Sequence, residues 1–223
     1  MNKKEFEKQA EQLHRRLNSV RQRALKKVRN RRLKQKNFTL ISNNCWAGMV
    51  YQAYDLEKQS PTVGLFFYSP EYILFLKHIH EALSGELRFI KPQESRYWNE
   101  LKERKDGYSF PIGVLPGGAE ICFLHYHSEK EARDKWTRRC KRVCWEKMIV
   151  KFNDQNLCTE EDMKAFDKLE FAHKLIFTCR DWPIPRDHYI KIRQFPKRDC
   201  LQFSWEPFSD TTHFKMTKLL NTL

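Results

Sequence analysis

Short apolar runs separated by helix-length stretches constrain this chain more than any other feature. FTLIS (38–42), VGLFFY (63–68), ELRFI (86–90), MIVKF (148–152) and KLIFTC (174–179) read as strands, and the continuous apolar run VGLFFY is as expected of a strand covered on both faces. PIGVL (111–115) and EICFLHY (120–126) flank Pro116-Gly117-Gly118, which predicts a hairpin. Between these runs lie helical patterns at 44–54, at 69–83 behind a Ser cap and an early Pro, from Ser128 to 145, and at 159–169. A further strand is expected near 189–193, and a closing helix after Ser209-Asp210. Strand and helix alternate about five times, which predicts an α/β fold of three layers: a mostly parallel sheet with helices on both faces.

Charge divides the chain in two. Residues 1–36 hold 14 Lys and Arg against 3 Glu, and residues 37–223 hold 28 against 25 Asp and Glu. A basic N-terminal arm therefore precedes a nearly balanced α/β domain. Phe6, Ala10, Leu13, Leu17, Val20 and Ala24 step by 4, 3, 4, 3, 4, so the arm reads as one amphipathic helix to about Leu33. Its thin stripe suits packing on the body or on a second copy, giving a homo-oligomer. Next comes peripheral contact with an anionic membrane surface, where each base contributes on the order of 1 kcal/mol. Nucleic acid is the least supported partner, because the body shows no RRM signature or zinc finger. No run approaches the roughly 18 apolar residues of a membrane span, and no apolar segment follows the basic start as in a secretory signal. Seven cysteines in such a chain suggest reduced thiols and a cytoplasmic setting.

In open α/β sheets, ligands sit beyond the carboxyl ends of the strands. The residues following each apolar run are polar: Ser42, Asn43, Asn44 and Cys45; Tyr68 and Ser69; His125, Tyr126, His127 and Ser128; Asn153 and Asp154; Arg180 and Asp181. They are expected to form one wall of a site. One of Asn43 and Asn44 is expected to cap the following helix, and the other to offer its amide to a ligand. Cys45 falls in the first turn, where the helix dipole lowers a thiol pKa, and His125 is the matching base. The reading of Cys45 as a small packing residue beneath Trp46 is favoured over the nucleophile.

Other chemistries lack support. There is no GxGxxG, GxxxxGK[ST] or GxSxG, so no nucleotide cofactor and no serine hydrolase elbow are implied. Cys122, His125, His127, Cys140 and Cys144 do not have the spacing of a zinc site, so no metal is assigned. Arg133, Lys135, Arg138, Arg139, Lys141 and Arg142 read mostly as a solvated helix face, with Arg138 and Arg139 in reach of an acidic ligand.

ISNNCWAGMVYQ, SPTVGLFFYSPEYILFLKH, PIGVL, CFLHYHSEKEARDKWTRRCKRV and VKFNDQN together resemble a bacterial family of unknown chemistry labelled exopolysaccharide biosynthesis proteins. The resemblance runs from about Phe38 to Trp182. Its matching positions are Asn43, Asn44, Cys45, Trp46, Ser60, Pro61, His125, Tyr126, Ser128, Trp136, Arg139 and Asp154. Gln155 stands where the family often has Arg. The resemblance implies an α/β fold and a place in surface polysaccharide synthesis. The expected function is that of a transferase acting on an anionic sugar nucleotide or lipid-linked saccharide. The alternative is a non-catalytic saccharide-binding or scaffolding component. In the transferase reading, His125 is the general base, Asp154 orients it or binds a hydroxyl, and Cys45 is nucleophile or pocket wall. Ser42, Asn43, Asn44, Trp46, Tyr126, Ser128 and Arg180 bind the substrate.

Overall fold

The structure, a computed structural model, describes residues 20, 24–104, 108–192, 199–201 and 215–223. In chain order the first half holds α1 (24–32), β1 (Thr39–Ser42), α2 (Trp46–Ala53), α3 (Ser69–Lys77), α4 (Ile79–Ser84), β2 (Arg88–Ile90) and α5 (Trp98–Lys102). The second half holds β3 (Ile112–Val114), β4 (Glu120–Cys122), α6 (Glu129–Cys140), β5 (Met148–Asn153), α7 (Glu160–Lys168), β6 (Lys174–Thr178), β7 (Ile190–Lys191) and α8 (Met216–Leu220).

β1, β5, β6 and β7 form a four-stranded parallel sheet in that order, with Ser42 opposite Lys151 and Asn153 opposite Phe177. Alternation along the strands divides the core. Ile41, Val150, Phe152 and Ile176 meet Tyr72 and Phe75 of α3, Trp136 of α6, and Met163 and Phe166 of α7. Leu40, Ile149, Leu175 and Phe177 meet Trp46, Val50 and Tyr51 of α2 and Met216 and Leu220 of α8. Helices thus cover both faces, and the domain is a three-layer α/β sandwich. Each such buried side chain contributes about 1.5–3 kcal/mol.

Several sequence expectations change in detail. The runs at 86–90, 111–115 and 120–126 leave the parallel sheet and form a separate antiparallel one, β2-β3-β4. The tight turn at Gly117 and Gly118, both at positive φ, forces its last two strands to be antiparallel neighbours. VGLFFY is no strand of the main sheet. It makes a single bridge, Phe66 to Cys122, and Phe67 N–H donates to the Asn43 carbonyl. The helix expected at 69–83 breaks at His78, against which the Gly117 turn packs closely enough that a Cβ there would stand 2.9 Å away. The helix from Ser128 stops at Cys140. Of the expected basic arm helix, residues 24–32 are helical, and residues 1–19 lie outside the described residues. Among the described residues no helix is long and apolar enough to cross a membrane.

Candidate functional site

The end of β1 is built from polar groups that satisfy one another. Asn43 acts as an extra rung of the sheet: its Nδ2 donates to the Asn153 carbonyl at 3.0 Å, and its Oδ1 accepts from Asn153 N–H at 3.1 Å. Asn44 Oδ1 accepts from Trp46 N–H at 3.1 Å at the entrance to α2. The N-cap position itself is Cys45 and has no side-chain cap bond, so neither asparagine takes the cap expected for one of them. Asn44 Oδ1 also accepts from Ser42 Oγ at 3.1 Å. The expectation that Asn43 offers its amide to a ligand is corrected, because that amide is bonded to strand backbone. Ser42, Asn43, Asn44 and Trp46 are all buried, so they form the floor of the rim. Cys45 is the residue of this turn that is only partly covered.

Beneath this floor lies Lys151, the feature sequence reasoning missed. It sits on the central strand β5 with no exposed surface at all. Its Nζ donates to Asn44 Oδ1 at 3.0 Å and Asn43 Oδ1 at 3.4 Å, and lies 5.6 Å from the Trp46 ring centroid. Burial lowers its pKa well below the ordinary 10.5, opposed by the nearby charges of Asp154 and Cys45. Gln155 Oε1 accepts from Asn44 Nδ2 and from Asn153 Nδ2, the latter at 3.2 Å. Asn153 Oδ1 is buried without a partner. A signal for Lys151 existed in MIVKF: a run covered on both faces has no exposed side for a lysine.

Cys45 Sγ lies 3.6 Å from the Leu65 carbonyl. Burial pushes its thiol up to about 11, with the Lys151 charge pulling the other way, so the protonated thiol prevails at neutral pH. The dipole-lowered thiol expected from sequence is therefore corrected: partial burial outweighs one helix turn. His125 stands nearby through its backbone, whose N–H donates to the Gly64 carbonyl at 3.0 Å. Its imidazole is exposed and makes no hydrogen bond among the described residues, so no thiol–imidazole pair is present. Gly64 has φ +80°, and a Cβ there would stand 3.2 Å from the Tyr126 ring; the loop needs glycine on both counts. Tyr126 is buried, and its hydroxyl donates to the Val63 carbonyl. Ser128 caps α6, its Oγ accepting from Glu131 N–H at 3.1 Å.

Asp154 does not reach His125. Its Oδ2 accepts from Thr178 Oγ1 at 2.5 Å and from Trp182 Nε1 at 3.2 Å, and its Oδ1 accepts from Leu201 N–H at 3.0 Å. The orienting role expected for Asp154 is thus taken by the fold: its carboxylate ties β6 to the segments that follow. Arg180 is exposed, its guanidinium 3.9 Å from the Trp182 ring centroid. The structure brings Ser42, Asn43, Asn44, Cys45 and Trp46 together around Lys151. Tyr126 and His125 stand at the adjoining loop, and Asp154 and Arg180 stand at the next strand ends.

A family described as "Domain of unknown function (DUF1919)" matches residues 16–221, and the chain belongs to that family. The chain is 30% identical over 196 residues to an "Uncharacterized protein" of Haemophilus influenzae, covering 86% of this chain and 87% of that one.

Proposed function

We propose that this member of the DUF1919 family is a transferase of surface polysaccharide synthesis that handles an anionic sugar nucleotide or lipid-linked saccharide. The pathway is supported by the motif resemblance. The chemistry is supported by one observation: the buried amine of Lys151 underlies the carboxyl rim of a parallel sheet, beside a partly exposed turn. His125 is the proposed general base, because its exposed imidazole stands at that rim with no bond to break before it meets a sugar hydroxyl. Cys45, protonated, is a wall of the pocket, and Lys151 fixes Asn44 and the turn that carries it. The protein is placed in the cytoplasm, where the basic residues 1–36 hold it at the inner leaflet or join it to a second copy.

A second reading, a non-catalytic saccharide-binding component, is favoured by a shallow basin of about 650 Å³ between α6 and the small sheet, lined by Phe89, Arg88, Arg133, Glu86 and Glu129 among others. The test is His125→Ala in a polymer-producing strain, with protein level and melting temperature followed alongside. The transferase reading expects polymer to fall to the level of a gene deletion while the protein stays folded. Normal polymer from His125→Ala overturns it and leaves the binding reading.

A further inference from the structure

Arg139 is a buried cation without a counter-ion among the described residues. It lies on α6 at 7% exposure. One nitrogen, Nη1, donates to the Val63 carbonyl at 3.1 Å and to the Tyr126 hydroxyl at 2.5 Å. Both acceptors are neutral. No carboxylate lies within ion-pair distance, and Nε and Nη2 have no partner among the described residues. Neither is among the fully enclosed unpartnered atoms, so this edge opens to solvent. Nε and Nη2 form the edge of a guanidinium that presents two parallel N–H bonds to a phosphate or carboxylate. A buried charge costs several kcal/mol unless something compensates it, and here the fold supplies hydrogen bonds but no negative charge.

Two more cations face the same place. Lys58 is exposed and forms no ion pair among the described residues, and the charges of Arg139 and Lys135 add to burial in lowering its pKa. Lys135 lies 5.3 Å from the Tyr126 ring centroid and pairs along its helix with Glu131. The other acid nearby in sequence, Glu57, is taken by Arg142 at 2.6 Å. Three cations thus meet one carboxylate, Glu131. The place is not remote from the rim: Tyr126 carries Arg139 on its hydroxyl and lies within electrostatic reach of Cys45, and His125 is its chain neighbour.

We propose that Arg139, Lys58 and Lys135 form a phosphoryl-binding site at the mouth of the rim, with the Nε–Nη2 edge of Arg139 gripping the phosphate and Lys58 closing over it. This deepens the anionic-substrate reading above and rests on it for the identity of the ligand, while the site itself stands on the uncompensated charge.

The probe is inorganic pyrophosphate, titrated calorimetrically into the full-length protein at physiological ionic strength. Saturable 1:1 binding is expected. Lys58→Glu, a surface change, is expected to weaken it at least tenfold. Arg139→Lys keeps the charge but loses the fork, and is expected to weaken it severalfold. Lys164→Glu on α7 should leave affinity unchanged. Absence of binding, or binding indifferent to both Lys58→Glu and Arg139→Lys, overturns the site. Competition by a nucleoside diphosphate, against retention on vesicles carrying a polyprenyl phosphate, identifies the phosphate's source; either outcome supports the site. The two proposals fail separately. Normal polymer from His125→Ala with intact pyrophosphate binding removes the transferase only. Lost polymer from His125→Ala with binding indifferent to both Lys58→Glu and Arg139→Lys removes the anion site only.

Discussion

Two buried polar clusters in this molecule differ in one respect, and the difference separates scaffold from site. Beside the small sheet, the carboxylates of Glu71 and Glu120 are fully answered. Glu71 accepts from Arg96 Nη2 at 2.7 Å, from the Tyr97 hydroxyl at 2.9 Å and from Glu120 N–H at 2.7 Å. Glu120 accepts from Ser95 Oγ at 2.6 Å and from Arg96 Nε at 3.1 Å. Every oxygen has a donor and both carboxylates pair with the one guanidinium of Arg96, as suits a cluster that locks a loop. At the rim of the parallel sheet, Lys151 and Arg139 are bonded to amides, a carbonyl and a phenol, with no ion pair among the described residues. Asn153 Oδ1 is left unpartnered. Lys151 is fully enclosed and has the charge of Asp154 near it, whereas Arg139 has no carboxylate within ion-pair distance among the described residues; the anion site proposed above rests on that difference.

The contrast can be broken most forcefully from the paired side. Glu71→Ala should cost about 3 kcal/mol, since it strands the Tyr97 hydroxyl, the Glu120 amide and one edge of Arg96. Urea unfolding reads this, and pyrophosphate affinity should not move. Unchanged stability would mean that pairing is not what holds the small sheet. Asp154→Ala comes next, at about 2 kcal/mol, because Thr178, Trp182 and Leu201 each lose an acceptor. A loss of polymer in a variant of wild-type stability would return Asp154 to the catalytic set.

The uncompensated side has its own pH signature. The folded state gives up the Lys151 proton more readily than the unfolded chain does, so the unfolded state binds more protons below the ordinary 10.5 and stability rises with pH. Between pH 7 and 9 the slope should reach at most about 1.4 kcal/mol per pH unit and vanish in Lys151→Met. Above pH 9 the raised thiols, Cys45 at about 11 and Cys140 at about 12, contribute with the opposite sign. A wild-type slope retained in Lys151→Met would assign it elsewhere. The smallest effect is kinetic. Alkylation of Cys45 by iodoacetamide, followed by mass spectrometry, should be slow at pH 7 and climb about tenfold per pH unit toward 11. Fast labelling at pH 7 would restore the activated thiol.

Sequence carried the scaffold well where burial is two-sided. FTLIS, MIVKF and KLIFTC became β1, β5 and β6, where the parallel sheet covers their apolar side chains on both faces. VGLFFY looked the same and went elsewhere, since Gly64 at φ +80° bends the run around Tyr126, a contact 62 residues away that no local pattern encodes. The site was legible as a place and not as a set of roles. The tip of β1 gathers around Lys151, while Asp154 bonds away from His125; which amides are spent on backbone depends on register: Asn43 lies one residue past the Ser42–Lys151 pair and is drawn into the ladder. Arg139, one of several bases on α6, turns inward because the helix buries Ala132, Trp136 and Arg139 on one face. Lys151 was hidden by its ordinariness in composition, although its apolar neighbours leave it nowhere to go.

The most direct test of the uncompensated rim is an amide NMR titration of the full-length protein with pyrophosphate. The account predicts that shifts concentrate at Cys45, Gly64, His125, Tyr126 and Arg139 and leave Glu71, Arg96 and Glu120 still. Shifts centred on the small sheet, or spread without a focus, would contradict it.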